Sequence, residues 1–296
     1  MSFANLKRNS GSSLEKLAKA AESMSSGGNQ NSDADEYWKC NVDKVGNGYA
    51  IIRFLPTPEQ DGDDGLPFVK YWDHGFQGPG GWYIQTSLTS IGLNDPVSDY
   101  NGKLWATGNE SDKELARKQK RRLHYVSNIY VVKDSSNPEN EGKVFKFRYG
   151  KKIFEKITGA MNPQFEDEVA FDPFDLWTGA NFKLKIRKVD GYQNYDLSEF
   201  DKPSPLSQSD EELELIYNSQ SSLKEILDPK NFKSYEELER LLNKALGNAP
   251  TKQASPQENK MKNIETKEKE IENAFTDTLD DDENADFFAD LLNDDD

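Results

Sequence analysis

Cationic and aromatic side chains crowd one stretch of this chain, Lys113 to Lys152, and single-stranded nucleic acid asks for both: phosphates are neutralised by Lys and Arg, and unpaired bases stack on flat rings. Lys118, Lys120, Arg121 and Arg122 form one burst; Lys143, Lys146, Arg148, Lys151 and Lys152 form a second. Tyr125, Tyr130, Phe145, Phe147 and Tyr149 lie between and within them. A second wall is available at Lys183, Lys185 and Arg187, which alternate with Phe182, Leu184 and Ile186, so that one strand face packs and the other meets phosphate. Four cations and no acids occur from Lys183 to Lys188, a bias that a merely solvated face does not require. Tyr192 and Tyr195 follow in a Gly- and Asn-flanked loop, a better setting for stacking than an apolar run, because most of the aromatic residues must build the core.

Other chemistries find little support. Two histidines, His74 and His124, and one cysteine, Cys40, are the only residues for a Cys–His pair, and nothing local brings them together. There is no Gly-rich phosphate loop with its Lys-Ser/Thr and no HExxH. The chain reads as a binding protein and not an enzyme. A lone cysteine permits no internal disulfide and suits a reducing compartment, and neither a signal peptide nor an apolar run of ~20 residues is evident. A soluble protein with no membrane contact is expected.

The formal net charge is −16, yet it is segregated. Thr276 to Asp296 holds ten acids and no bases, leaving 43 acids against 37 bases in the rest. A negative total of this kind is compatible with a nucleic-acid partner. Within the acidic tail, Asp286, Phe287, Phe288, Asp290, Leu291 and Leu292 alternate charge with apolar anchors and suit a partner-docking or groove-competing segment; a merely solubilising end is the plain alternative.

The elements that must position these residues follow from pattern. Residues 1–24 form a basic arm with a capping box at Ser12 and Glu15 and helical spacing of Leu14, Leu17, Ala18 and Ala21; residues 25–36 are a linker. Strands are expected at Tyr37–Trp38, Tyr49–Leu55, Phe68–Phe76, Trp82–Thr86, Tyr125–Val132, Lys143–Tyr149 and Asn181–Val189, with turns at Gly46-Asn47-Gly48 and Gly78-Pro79-Gly80-Gly81. Ser87–Gly108 reads as a long surface segment, Leu115–Lys120 and Lys151–Ile157 as short helices. Capping boxes at Ser209/Glu212 and Ser234/Glu237 open C-terminal helices, the last closed by Gly247. The fold class expected is α+β: a small β-barrel core at 37–247 with an added subdomain near 66–120, then a linker at 248–275 and the tail at 276–296.

Several strings, in chain order, carry a resemblance. They are Gly46-Asn47-Gly48, Ile52-Arg53-Phe54-Leu55-Pro56, His74-Gly75-Phe76, Trp82-Tyr83-Ile84, Val131-Val132-Lys133-Asp134, Pro138 through Lys146, Gly150-Lys151-Lys152-Ile153 and Gly179-Ala180-Asn181-Phe182. The chain resembles the single-stranded DNA-binding, or helix-destabilising, proteins of T-even-type bacteriophages. The resemblance implies an OB-fold core whose groove takes single-stranded DNA, with Lys120, Arg121 and Arg122 in its basic segment and Tyr125, Phe147, Tyr192 and Tyr195 at its aromatic positions. It implies cooperative head-to-tail contact between protomers through a basic arm, here Lys7-Arg8-Asn9-Ser10. It further implies an acidic tail that docks replication and recombination proteins, and work in the cytoplasm of an infected bacterium. Family members hold a structural zinc with one His and three Cys; His74 stands at the His position, but Ser87, Asp95 and Ser98 replace the cysteines, so no structural zinc is expected. An RNA-binding translational repressor on the same fold, and an acidic protein-binding scaffold, are the alternatives.

Overall fold

Alternation in the strands dictates which side chains are inside. In β2 (Gly48–Phe54), Ala50, Ile52 and Phe54 are buried; in β7 (Phe182–Val189), so are Phe182, Leu184 and Ile186. Around them are β1 (Tyr37–Trp38), β5 (Arg122–Asp134), β6 (Val144–Tyr149), β8 (Tyr192–Asn194) and β9 (Glu199–Phe200). The computed structural model describes residues 37–62, 64–165, 167–189 and 191–248. The basic arm with Lys7 and Arg8, the linker at 25–36, nearly all of that at 248–275 and the tail with Asp286, Phe287, Phe288, Asp290, Leu291 and Leu292 lie outside the described residues.

The central path runs β1-β6-β5-β2-β7-β8, antiparallel except for β1 on β6. β3 (Val69–Gly78) pairs with the first half of β5 and with β4 (Gly81–Thr86), and β9 pairs with β7. Among the described residues no pairing joins β1 or β6 to β7, β8 or β9, so the sheet is open. The expected OB-fold barrel is therefore corrected to an open, mixed sheet with C-terminal helices. The reason lies in the edges: β1, β8 and β9 have two, three and two residues, too short to carry a closing ladder. The apolar face that closure would have covered is instead capped by Ile153 and Ile157 of α3 (Lys151–Met161) and by Phe174. Phe54 sits at the centre of this core, with Phe147, Tyr149, Phe174, Phe182 and Phe200 all within 6.5 Å between ring centroids.

A smaller lobe is built on the β3–β4 hairpin. After β4 a 3-10 turn (Leu88–Ile91) leads to α1 (Pro96–Ala106) and α2 (Glu110–Lys118). The segment 87–108, expected to be irregular, thus contains a three-turn helix. Asp95 caps it and Pro96 opens it, the favoured N-terminal pair. Its sequence shows little apolar stripe because it buries only Pro96, Val97 and Asn101. The partner comes from the far end of the chain: α5 (Tyr235–Ala245) sets Leu242 and Ala245 against Phe76, Tyr83 and Val97. Gly80 allows this approach. Its amide donates to the Ala245 carbonyl at 2.7 Å, and a Cβ there would overlap the Lys244 carbonyl oxygen.

α4 (Asp210–Asn218) completes the architecture, burying Leu213 and Ile216 against Leu55 and Leu176 on the other side of the sheet. Both expected caps form: the Glu212 and Glu237 amides donate to Ser209 Oγ and Ser234 Oγ at 3.2 and 3.3 Å.

Candidate nucleic-acid interface

The pleat divides the candidate residues between two faces. On β6, Phe147 and Tyr149 point into the core while Arg148 points outward and is exposed. On β5, Tyr125 points inward and stacks face to face on Phe154 of α3, with centroids 3.9 Å apart and rings 7° from parallel. Tyr125 and Phe147 are both buried, 8% and 6% exposed, and leave no open ring face for a base. Lys146, though on the outer side, is also buried, its ammonium 6.0 Å from the Tyr37 ring centroid.

Several cations are already answered by carboxylates. Arg122 donates Nε and a terminal nitrogen to Asp73 at 2.8 and 3.0 Å, a bidentate clasp across the β3–β5 pair. Gly75 makes room for it, since a Cβ there would strike the guanidinium. His124 Nε2 lies 3.0 Å from the same carboxylate, and Arg148 donates to the Tyr71 hydroxyl at 3.4 Å. On β7, Lys183 pairs with Asp201 at 2.8 Å and Lys185 with Glu199 at 2.7 Å. The hydrogen bond that Lys183 donates to Asp201 raises the Lys183 pKa. This expected phosphate wall is therefore partly neutralised from within, and Arg187 is its exposed member.

Burial pushes the Asp73 carboxyl up, but the contacts from His124 and Arg122 outweigh it and bring the pKa down to about 2. A depressed folded-state pKa stabilises above the ordinary carboxylate value, near ~3.9, and that stability disappears as pH falls through the folded value. Unfolding free energy is expected to drop by about 2.5 kcal/mol between roughly pH 5 and pH 1 on account of Asp73 alone. Denaturant titrations of wild type and Asp73→Asn across that window check it, and parallel acid limbs would remove Asp73 as the cause.

The remaining candidates converge more closely. Lys118, Lys120 and Arg121 occupy the junction where α2 runs into β5, and the Arg121 guanidinium lies 4.8 Å from the centroid of Trp72. On the other side of Phe154, Lys152 approaches Asp196 at 3.8 Å and Lys156 donates to its carbonyl at 2.9 Å, tying α3 to the loop after β8. Half-buried Tyr192, expected in a loop, opens β8 and pairs with Val189 of β7, whereas half-buried Tyr195 follows β8, packs on the core and donates its hydroxyl to Gln193 at 3.0 Å. Three local contacts mark this rim: Arg121 on Trp72, Tyr125 on Phe154, and α3 on Asp196. Lys70, Trp72 and Phe154, which pattern reading did not single out, belong to this rim; Lys70 and Trp72 were visible only as alternate positions of an ordinary strand.

The smaller lobe is held by a buried polar cluster. Asp95 accepts hydrogen bonds from Ser87 Oγ at 3.0 Å and from the amides of Leu88, Val97 and Ser98 at 3.1, 2.9 and 3.3 Å. His74 Nε2 lies 3.3 Å from Asp95 Oδ1, and Nδ1 is 3.0 Å from the Gln119 carbonyl. Burial raises the Asp95 pKa, but His74 and the hydrogen bonds reverse the sign and leave it lowered.

A sequence model described as gp32 DNA binding protein like matches residues 46–246. The single-stranded DNA-binding protein of Enterobacteria phage T4 is 38% identical over 245 residues, covering 80% of this chain and 79% of its own. The phage T2 protein of the same name matches to the same extent. A shorter relative from Escherichia phage SV14, also a single-stranded DNA-binding protein by name, is 35% identical over 111 residues, 36% of this chain and 96% of its own.

This chain belongs to the gp32 family. It is a divergent member at the position where zinc is expected. Two donors of that set, His74 and Asp95, meet in the cluster, but Ser87 is a hydroxyl spent on Asp95 and Ser98 contributes only its backbone amide. Both imidazole nitrogens face acceptors, and both Asp95 oxygens are engaged. The set does not fit a tetrahedral zinc. No group of three or more His, Cys, Asp or Glu among the described residues could hold a metal ion.

The gp32 family is non-catalytic, and the residues agree. Ser87 contacts the carboxylate and not the imidazole, so the nucleophile–base contact of an acyl-transfer site is missing. Burial, aided by the charge of Asp134, pushes the Cys40 thiol up to about 11, far from a reactive thiolate. No described helix is long and apolar enough to cross a membrane.

Proposed function

We propose that this chain coats single-stranded DNA without sequence preference during phage DNA replication, recombination and repair. The observation that carries this reading is family membership over most of the chain, joined to a cationic junction at Lys118, Lys120 and Arg121 beside an aromatic rim. Sequence tolerance follows from the chemistry: every nucleotide has a phosphate to neutralise and a π-face to stack. Residues 1–24, with Lys7 and Arg8, serve head-to-tail contact between protomers on DNA and make binding cooperative. Residues 37–247 form the DNA-binding core, with residues near 66–120 as its smaller lobe. Residues 276–296 recruit replication and recombination proteins and compete for the cationic junction until DNA displaces them. The setting is the cytoplasm of the infected host.

A poly-dT titration of the full chain, with and without residues 276–296, tests the reading. Binding is expected to be cooperative and to weaken steeply with salt, and tail removal is expected to tighten it. Absence of salt-sensitive binding by either form would overturn DNA coating and favour a protein-binding scaffold. Unchanged affinity on tail removal would reject the competition. Preference for unstructured RNA over DNA of equal length would move the reading to translational repression.

A further inference from the structure

Trp72 ends the inner face of the sheet. On β3, Lys70 and Trp72 point to the same side as their cross-strand partners Tyr125 and Leu123. Tyr125 is buried and Leu123 packs against the core, yet Trp72 stays half-exposed. Its backbone is held where β3 extends past β4. The Trp72 amide donates to Ser90 Oγ at 2.9 Å, and its carbonyl accepts from Ser90 Oγ at 3.1 Å and from the Ser87 amide at 2.9 Å. Two cations lie against the indole: the Arg121 guanidinium at 4.8 Å and the Lys70 ammonium at 5.5 Å from the ring centroid. The acid of this strand, Asp73, points to the opposite face, where Arg122 occupies it.

A wide ring anchored by its backbone, at the rim of a core and with two cations over it, offers what one nucleotide uses: a base that stacks there displaces a cation from the ring toward its own phosphate. Its base stacks on the ring, and the phosphates on either side reach the two cations. We propose that Trp72 is a base-stacking plate for bound single-stranded DNA, with Lys70 and Arg121 taking the flanking phosphates. This rests on the DNA-coating reading above and adds a site to it.

The test uses the full chain with Trp72→Ala, Trp72→Leu and Trp72→Phe, each titrated with oligo(dT) and with an abasic deoxyribose-phosphate oligomer of equal length. Loss of one stacked base is expected to weaken oligo(dT) binding about 5- to 150-fold in the Ala and Leu variants. Binding of the abasic oligomer is expected to stay unchanged, and Trp72→Phe is expected to keep most of the oligo(dT) affinity. Equal loss on both oligomers, or no loss on either, overturns the plate while DNA coating stands. Should Trp72→Ala fail to fold, Trp72→Leu keeps an apolar side chain at the rim, and equal oligo(dT) affinity of Leu and Phe variants overturns the plate. Failure of the wild-type chain to bind oligo(dT) overturns both readings.

Discussion

Replacing Asp95 with alanine is expected to cost about 4 kcal/mol of stability, the order of losing a helix cap together with several buried hydrogen-bond partners. Three losses coincide. The α1 cap disappears, and the amides of Val97 and Ser98 lose their acceptor. The Ser87 hydroxyl and the Leu88 amide, both inside the lobe, lose theirs. His74, 1% exposed, keeps its Gln119 contact and faces an emptied site with Nε2. Thermal unfolding should fall by roughly 10 °C for a domain of this size. Asp95→Asn keeps the cap but not the charge and should lie between the two. A midpoint within a degree or two of wild type in the alanine variant would show that the lobe is held by its apolar contacts, Phe76, Tyr83 and Val97 on Leu242 and Ala245, and not by this cluster. An imidazole and a hydrogen-bonded carboxylate, 3.3 Å apart, occupy the position where the resemblance implies a metal. Unlike a metal site, this pair does not depend on chelators; the lobe is expected to resist them and to weaken in acid, as Asp95 takes up a proton.

Removing both charges of Lys120 and Arg121 is expected to weaken DNA binding in a salt-dependent way. Each single-strand phosphate contact contributes about 0.7 to the slope of log affinity against log salt, so the double alanine variant should lose about 1.4 from the slope. The same relation predicts a loss of about 60-fold near 50 mM salt, shrinking to about 10-fold near 200 mM. Arg122→Ala should behave differently. Its guanidinium is committed to Asp73, so the variant is expected to show lower stability with a nearly unchanged salt slope. Oligo(dT) titrations at four salt concentrations separate the two cases. If Arg122→Ala reduces the slope as much as either neighbour, Asp73 releases it on binding and the clasp is part of the site.

Much of the architecture was legible from local pattern. The strict alternation of Phe182, Leu184 and Ile186 with Lys183, Lys185 and Arg187 allows only a strand with one packed face, and β7 is that strand. Ser209 and Ser234 mark helix starts because a hydroxyl there answers amides that the helix itself leaves open. α1 escaped pattern reading for a definite reason. Its buried residues are few and meet α5, more than 130 positions away, so the signal that makes it a helix is divided between distant segments. Barrel closure is likewise not encoded in local pattern. Strand count and turn signals do not say whether edges meet; the shortness of β1, β8 and β9 and the capping by α3 decide that they do not.

For the interface, residue types were enough to mark Lys118, Lys120 and Arg121, and to assign the family, because charge clustering and ordered motifs survive in one dimension. They also sufficed to show that Ser87, Asp95 and Ser98 make a poor zinc set with His74, since ligand chemistry belongs to the side chain itself. Which cations are paired was decided only by the fold: Asp73 reaches Arg122 across a strand pair, and Asp201 and Glu199 reach Lys183 and Lys185 through β9. The fold also buries Tyr125 and Phe147 and leaves Trp72 at the rim. Composition counts cations and rings equally wherever they stand. Only tertiary contacts determine whether a ring has a free face and whether a cation meets a carboxylate of its own chain.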